Sequence, residues 1–197
     1  MYGMINLFFA PEEVTMTDET KQKILDAALK LFAKNGYRGT TTRAIAIEAG
    51  LNELTLFRRF GTKENLFDEV MAQNHEQLQK TFIPIGEDLD QKFENPKDFL
   101  EAYLKTMAEY FIDNFERFNL MVNVDYNSID NDMGEFISFI GEFLKRNIKS
   151  EKIDHQALGI MINTFFYMVN LSRYHGRHYE NEVSTEKFID NLLLCIK

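Results

Sequence analysis

Apolar residues recur along this chain with the period of an α-helix. In residues 21–35 the apolar positions fall on one helical face. These positions are Ile24, Leu25, Ala28, Leu31 and Phe32. Gly36 follows, and a glycine at this point can adopt the left-handed conformation that ends a helix. The pattern therefore predicts a first helix over residues 21–35.

Two short helices are predicted next, over residues 43–49 and 53–60. The run Thr40-Thr41-Thr42 precedes the first of them, and a threonine hydroxyl can accept a hydrogen bond from the free amides of a helix start. Gly50-Leu51-Asn52 forms a tight turn, and Asn52 can cap the second short helix. A longer helix followed by two short ones joined by a glycine-containing turn describes a helix-turn-helix.

The remaining chain keeps the helical pattern. The further predicted helices run from residue 66 to about residue 83, then over 97–113, 115–125, 133–148, 153–174 and 184–196. A polar loop is predicted over residues 86–95, and Pro96 suits the first turn of the helix after it. The helix over 153–174 is apolar nearly all round, so it needs apolar neighbours on two sides. One neighbour can be its own core and the other a second subunit.

Composition agrees with an all-α protein. Hydrophobic residues make up 45% of the 197 residues, with 18 Phe and 9 Met, so a sizeable core can form. Only 3 Pro and 10 Gly leave little material for the turns of a β-sandwich or barrel. The single cysteine, Cys195, excludes an intramolecular disulfide and suits a reducing cytosol.

No export signal or membrane span is predicted. Lys21 is the first basic residue, so the basic segment of an export signal is missing ahead of the apolar residues 1–10. The longest apolar run, residues 158–171, is shorter than the ~20 residues that a membrane span needs. We therefore expect a cytoplasmic protein.

Charge is distributed unevenly along the chain. The formal net charge of −9, taken alone, argues against binding to a nucleic acid. Residues 17–66 nevertheless carry nine basic and six acidic side chains, a net charge of +3. Residues 67–197 carry 13 basic and 23 acidic side chains, a net charge of −10. A basic N-terminal module thus precedes an acidic remainder, as in proteins that bind DNA through one end.

The basic module resembles a known family. Residues 24–37 resemble the first helix of the TetR family of transcriptional regulators, of the TetR/AcrR type. Residues 41–52 are similar to its second helix and turn, and residues 56–66 to its recognition helix and the start of its fourth helix. The resemblance covers about a quarter of the chain, with every landmark in order and without a gap.

The resemblance implies a set of DNA contacts. The helix over 53–60 would enter the major groove, and a dimer would bind a near-palindromic site. Thr41, Thr42 and Arg43 would meet phosphate at the start of the second helix. The residues that would face base edges or flanking phosphates are Asn52, Glu53, Leu54, Thr55 and Arg58. Lys63 would contact the DNA backbone.

Three positions on this helix leave questions open. The family usually has Tyr at Phe57, so the phenylalanine keeps the packing and loses a hydroxyl that reaches phosphate. His is usual at Arg59, and the added charge would replace the lost contact. Leu54 is either a contact to a thymine methyl or a tolerated exposed leucine.

The resemblance also implies an effector site among the middle helices. The expected lining is Phe99, Tyr103, Met107, Phe111, Phe118, Met121, Phe139, Phe143, Met161, Phe165 and Met168. Phe and Met at helical spacing are also what a simple core contains, so this alternative stays open. The density of Phe and adaptable Met favours an apolar or aromatic ligand. The last helices, 154–174 and 184–196, would pair across a two-fold axis.

Other chemistry finds little support in the sequence. The acidic stretch 125–136 lacks calcium-loop spacing, because Asp130 stands where glycine is required and Phe136 where the final ligand belongs. His175 and His178 have no further ligand pair for a metal. Nucleotide-binding, protease and esterase motifs are missing. We therefore expect no enzyme, no metal and no cofactor.

The sequence thus predicts a ligand-released, homodimeric repressor. Its parts would be an N-terminal extension over 1–16, a helix-turn-helix domain over 17–66 and a helical effector-binding and dimerisation domain over 67–197. One alternative is a ligand-independent DNA-binding or protein-interaction module whose C-terminal helices dock a partner. Another is a helical enzyme with an incidental basic module. A solid C-terminal core would favour the first alternative, and a pocket with converging titratable groups the second.

Overall fold

The structure is a computed structural model that describes residues 18–89, 93–123, 132–177 and 185–195. These residues form helices and connections without strands, as the sequence predicts. The helices are α1 (Asp18–Gly39), α2 (Thr42–Glu48), α3 (Glu53–Phe60), α4 (Lys63–Leu89), α5 (Pro96–Asp113), α6 (Phe115–Asn123), α7 (Asp132–Asn147), α8 (His155–Tyr174) and α9 (Thr185–Cys195). The predicted extension over 1–16 lies outside the described residues, and so do residues 124–131, which include the first part of the acidic stretch 125–136.

Helices α1–α3 and the start of α4 share one hydrophobic core, which we call the head core. Its fully buried members include Ile24, Phe32, Ile45 and Leu56. Leu120 of α6 also belongs to this core, although it lies fifty residues after Val70, the preceding buried member. The head is therefore packed against α6 rather than joined to the rest of the chain by a linker.

Helix α1 changes direction at Gly36. This glycine has the predicted positive φ (70°), but its ψ of 171° is extended and not that of a left-handed helical residue. One more turn follows, and α1 reaches Gly39 instead of ending near residue 35. The buried hydroxyl of Thr40 closes this corner, donating to the carbonyls of Gly36 (2.8 Å) and Leu31 (3.0 Å).

Helix α4 runs through both halves of the molecule. Leu66 and Val70 belong to the head core, whereas Phe82 and Leu89 belong to a second core formed by the C-terminal helices, the body core. The prediction that α4 ends near Pro84 is wrong. Pro84 lies on the exposed side, where water can satisfy the carbonyl that loses its helical partner. Burial of Phe82 and Leu89 holds the last turns in place.

The body core is rich in aromatic side chains. Helices α5, α7, α8 and α9 each contribute a buried stripe to it, as their apolar periodicity predicts. Phe99, Tyr103 and Phe143 are almost completely buried and pack together, with ring centroids 5.7–6.0 Å apart. The Tyr103 hydroxyl has no hydrogen-bond partner, and burial raises the pKa of this tyrosine.

No helix within the described residues combines the length and the apolar character that crossing a membrane requires.

Gly159 marks a close crossing of α7 and α8, and its replacement by alanine should lower stability. A Cβ added there would lie 2.7 Å from Cγ2 of the fully buried Ile140. We expect Gly159→Ala to lower the free energy of unfolding by about 1–3 kcal/mol. The matched control is Gly86→Ala on α4, where nothing lies within 4 Å. This change should raise stability by about 0.5–1 kcal/mol. Urea unfolding of both variants measures the two changes in the free energy of unfolding. If both changes had the same sign, the close approach of α7 and α8 at Gly159 would be contradicted.

Candidate nucleic-acid interface and ligand cavity

Side-chain caps fix the starts of α2 and α3. The Thr41 hydroxyl accepts a hydrogen bond from the Ala44 amide (3.1 Å), and the Asn52 side chain accepts one from the Leu54 amide (2.9 Å). Both caps match the sequence prediction. An asparagine or threonine in this position satisfies amides that have no partner within the helix. The two short helices therefore begin at defined residues, which sets the side chains that α3 exposes.

Two of the predicted DNA-contacting residues bond to each other. The Thr42 hydroxyl donates to the Glu53 carboxylate (2.7 Å), and both side chains are half-buried. This bond ties the first turn of α2 to the first turn of α3. The glutamate also lies at the N-terminal end of α3, where negative charge is favourable. In this arrangement Thr42 and Glu53 hold the two helices together.

The outer side of the α2–α3 unit carries both basic and apolar side chains. Arg43, Arg58 and Arg59 are exposed, and Thr55 is half-buried beside them. The exposed large apolar residues are Ile47 (70% exposed), Leu54 (56%) and Phe57 (43%). Sequence reasoning missed Ile47, although an isoleucine on the outer side of a short helix was a visible signal. Exposed apolar groups next to arginines suit contact with base methyls and phosphates together.

Lys63 bonds to its own chain. Its ammonium group donates to the carbonyls of Tyr37 (2.9 Å) and Thr40 (3.0 Å) and lies 4.1 Å from the centre of the Tyr37 ring. An ammonium group has three donors, so one N–H is left for a phosphate. Lys63 thus fastens the start of α4 to the corner after α1, and its predicted contact with the DNA backbone remains a prediction.

A cavity of about 520 Å³ opens in the body between α4, α5, α6, α7 and α8. It lies within the size range of small-molecule sites. Its lining is mostly apolar and consists of His75, Leu78, Gln79, Phe82, Ile83, Tyr110, Phe111, Phe118, Met121, Val122, Ile137, Phe139, Ile160, Asn163, Thr164 and Tyr167. Phe111 and Phe118 stack with centroids 4.3 Å apart, and Phe82 packs edge-on against Phe139 at 5.5 Å. Ile83, Val122, Phe139 and Ile160 are 45–54% exposed, so apolar surface surrounds its mouth.

The cavity includes some of the predicted ligand-binding residues and not others. Phe111, Phe118, Met121 and Phe139 line it. Four others are buried in the body core instead: Phe99, Tyr103, Met107 and Phe143. Met161 and Met168 are about half exposed on the outer side of α8. Phe165 stacks on Phe188 of α9 with ring centroids 3.7 Å apart, away from the cavity.

Sequence reasoning missed the polar part of the lining. His75 and Gln79 stand one turn apart on α4, with nitrogens 2.8 Å from each other. Asn163 and Tyr167 stand one turn apart on α8. On α8, a polar pair at i, i+4 within a mostly apolar helix was the available signal, whereas the polar surroundings of His75 and Gln79 on α4 offered none.

Most polar groups of the lining have partners within the protein. The Tyr110 hydroxyl donates to the Leu78 carbonyl (2.9 Å). Burial raises the pKa of Tyr110 and of Tyr167, so both phenols stay neutral at physiological pH. By contrast, Oδ1 of Asn163 is buried and has no hydrogen-bond partner.

A hydrogen-bonded chain links the cavity to the head. The Tyr167 hydroxyl donates to Oδ1 of Asn119 (2.9 Å), and Nδ2 of Asn119 donates to the Ala33 carbonyl of α1 (2.8 Å). Asn119 is almost completely buried. A residue of the cavity wall therefore connects to the helix-turn-helix unit through one buried amide, which we call the Asn119 bridge.

The described side chains do not form a metal site. Within this part of the chain, no three His, Cys, Asp or Glu residues gather in a way that could hold an ion. His178 and residues 125–131 of the acidic stretch lie outside the described residues, and so does the side chain of Cys195.

Comparison with known proteins agrees with this architecture. Residues 24–70 match the family model of bacterial regulatory proteins of the tetR family. The uncharacterized HTH-type transcriptional regulator YvkB of Bacillus subtilis is 33% identical to this chain over 46% of the chain and 54% of YvkB. The chain spans about half the length of the sequence relatives it matches first.

Solved structures extend the likeness to most of the fold. A TetR-like transcriptional regulator from Rhodococcus sp. RHA1 has a TM-score of 0.65 at 19% identity, covering 88% of this chain and 91% of its own. The regulator FadR of Bacillus subtilis, solved with stearoyl-CoA, has a TM-score of 0.58 at 17% identity, covering 89% of this chain and 97% of its own. Identities this low support the fold alone. A helix-turn-helix is a motif that DNA-binding proteins use to place a helix in the major groove. Residues 24–70 thus resemble the tetR family of bacterial regulatory proteins, and the fold resembles that of solved TetR-like regulators.

Proposed function

We propose that the protein is a DNA-binding transcriptional regulator, a homodimeric repressor that a small apolar effector releases from a near-palindromic operator. The observation that carries the proposal is the Asn119 bridge between an apolar cavity and the helix-turn-helix head. A ligand that binds better to one arrangement of α6 and α8 would bias the position of the head. Operator DNA would then weaken ligand binding by the same factor.

The proposed DNA-binding surface is the outer side of α2 and α3. Arg43, Arg58 and Arg59 would supply positive charge, and Leu54 would contact base methyl groups. In a two-fold dimer the two α3 helices would lie about 34–36 Å apart, one turn of DNA. The acidic body would repel DNA elsewhere and limit non-specific binding. A regulator of this kind acts in the cytoplasm, where the operator lies.

The alternative of a partner-docking body has weaker support. A solid core would favour it, whereas the body contains a cavity of about 520 Å³. The helical enzyme has weaker support still, because the described lining contains a single histidine and no carboxylate.

Binding-site selection with the purified full chain tests the proposed function. The chain is mixed with random-sequence duplex DNA at about 0.15 M salt, and bound sequences are recovered and footprinted. We expect a near-palindromic site with two protected half-sites one turn apart and two chains per site. Equal recovery of all sequences, or one chain per site, would contradict the proposal.

The dimer itself can be tested on the exposed apolar residues of the last helices. Met161 and Met168 lie two turns apart on α8, and Leu194 of α9 is 71% exposed. Met168→Lys combined with Leu194→Lys should give a monomer in sedimentation experiments, since two buried charges per chain would face an apolar interface. Ile112→Lys on α5, an equally exposed apolar position, is the control and should stay dimeric. A dimer that survives the double change would place the interface elsewhere.

A further inference from the structure

Helix α8 presents to the cavity a hydrogen-bond donor that the protein does not use. Asn163 lines the cavity, and its Oδ1 is buried, whereas its Nδ2 retains accessible surface. No described residue accepts a hydrogen bond from this Nδ2. The polar atom of Asn163 that a ligand in the cavity can reach is therefore an N–H donor.

Burial of one end of the amide favours this orientation. An amide has one oxygen that accepts and one nitrogen that donates two hydrogens. The reverse orientation of Asn163 would place two N–H groups in the position that Oδ1 now occupies, and each would need an acceptor there. With the oxygen inward, a single acceptor is left unmet and the nitrogen is available at the wall.

The neighbouring polar groups leave Asn163 as the wall group on α8 with a fixed and unused polarity. Tyr167 uses its phenolic hydrogen within the protein, donating to Asn119. Thr164 is exposed on the same wall and has no partner among the described residues, but its hydroxyl can either donate or accept. The described lining contains no Lys, Arg, Asp or Glu, so hydrogen bonds rather than such ion pairs supply its polarity.

The Asn163 donor discriminates among ligands that fill the cavity. A wholly apolar ligand removes water from Nδ2 and offers no acceptor in exchange, so the N–H loses a hydrogen bond on binding. A ligand with an oxygen at this point replaces the water and keeps the N–H satisfied. The surrounding rings, such as Phe111 and Phe118, contact the apolar part of either ligand equally well.

We propose that the effector is an apolar molecule with an oxygen acceptor, of the carbonyl or carboxylate kind, that accepts a hydrogen bond from Nδ2 of Asn163. This proposal rests on the proposed function, because it names the ligand class of the same cavity. The oxygen fixes the orientation of the effector against α8, and the aromatic rings bind the remainder.

Three bicyclic compounds of nearly equal shape test the polarity of the site. They are 1-indanone, which accepts a hydrogen bond, indole, which donates one, and indane, which does neither. Their affinities for the full chain are measured by displacement of the neutral dye N-phenyl-1-naphthylamine. Because the free compounds differ in hydration, the quantity compared is the affinity of each relative to indane, in the parent and in variants.

The variant Asn163→Leu should weaken 1-indanone relative to indane by about tenfold, since the ketone then loses its donor. The affinity of indole relative to indane should change by less than about twofold. Thermal unfolding of this variant should occur at or above the parent temperature, because the change also removes a buried acceptor without a partner. This measurement shows that the variant is folded.

Two further variants separate Asn163 from other polar groups of α8. Thr164→Val replaces the hydroxyl with a methyl group of similar size and should weaken 1-indanone relative to indane by less than about threefold, because this exposed group remains hydrated. Gln156→Leu removes an exposed amide outside the cavity and should leave the relative affinity unchanged. A larger loss with Thr164→Val than with Asn163→Leu would place the acceptor elsewhere and overturn the proposal.

A second pair of compounds identifies the kind of acceptor. Indane-2-carboxylate and indane-2-carboxamide both carry a carbonyl oxygen and differ in charge. Tighter binding of the carboxylate assigns the acceptor to an anion, and tighter binding of the carboxamide assigns it to a neutral carbonyl group. In either case Asn163→Leu should weaken the preferred compound more than it weakens indane.

The outcomes separate the ligand class from the proposed function. An unchanged ratio of 1-indanone to indane in Asn163→Leu, a loss confined to indole, or no binding of any of these compounds would overturn the ligand class. Specific operator binding by the same sample would leave the proposed function standing in each case. The expected loss for 1-indanone, without a specific DNA site, would support the ligand class and contradict the regulator.

Discussion

Replacing Asn119 with leucine is expected to lower the free energy of unfolding by about 1–3 kcal/mol and to loosen the head from the body. The change removes the acceptor of the Tyr167 hydroxyl and the donor to the Ala33 carbonyl, and both bonds are 2.8–2.9 Å long. The Tyr167 hydroxyl is half-buried, so the loss of its partner costs part of the desolvation penalty of a fully buried group. Urea unfolding measures the loss, and hydrogen exchange should speed up at the α1 amides around residue 33 more than at α5.

Two tyrosine variants on α8 serve as graded controls. Tyr167→Phe removes one hydrogen bond of the Asn119 bridge and should cost about 0.5–1.5 kcal/mol. Tyr174→Phe removes a hydroxyl from the same helix away from the bridge and should change stability less than Tyr167→Phe. If hydrogen exchange of the α1 amides were as slow in Asn119→Leu as in the parent, the Asn119 bridge would not stabilise the packing of the head on the body.

Replacing Arg59 with alanine is expected to weaken operator binding about 30-fold at 0.15 M salt. The estimate follows if each Arg59 neutralises one phosphate, because a dimer then loses two contacts and the slope of log K against log[salt] falls by about 1.8. Arg59 is exposed at the last turn of α3 and adds the charge that histidine lacks in the family pattern. Filter binding across a salt series, on the operator found by selection, gives both quantities.

Phe57 supplies a rescue experiment for the same hypothesis. Its ring is 43% exposed on α3, so a hydroxyl can be added there without a cavity or clash in the core. Phe57→Tyr in the Arg59→Ala background should recover part of the affinity by restoring a donor to phosphate. Lys149→Ala, an exposed basic position just after α7, is the control and should leave the salt slope unchanged. An unchanged slope for Arg59→Ala would show that Arg59 does not replace the tyrosine contact.

Local chemistry explains why so much of the head could be predicted. The bounds of α3 are those predicted, residues 53–60, and the caps Thr41 and Asn52 act as expected. A cap depends on a side chain and an amide two or three residues away, so the sequence contains all of the required information. Asn95 before α5 and Asp154 before α8 cap their helices in the same local way, although our sequence analysis did not name them as caps.

The ligand cavity shows where such reasoning stops. Tyr103, Met107 and Phe111 belong to one apolar stripe of α5, yet only Phe111 lines the cavity. Periodicity identifies the side of a helix that faces inward. It does not reveal whether the helices opposite fill the space or leave a gap, because that depends on their crossing angles and on side chains far along the chain.

The sequence by itself determined the helices, the head and its outward-facing arginines, because helical period, capping and glycine geometry act over a few residues. Only the tertiary structure decided that α4 continues past Pro84, that Asn119 joins the body to Ala33, and that Oδ1 of Asn163 is buried without a partner. Each of these depends on residues brought together from distant parts of the chain. Their energies come from burial and from hydrogen bonds that exist only after packing.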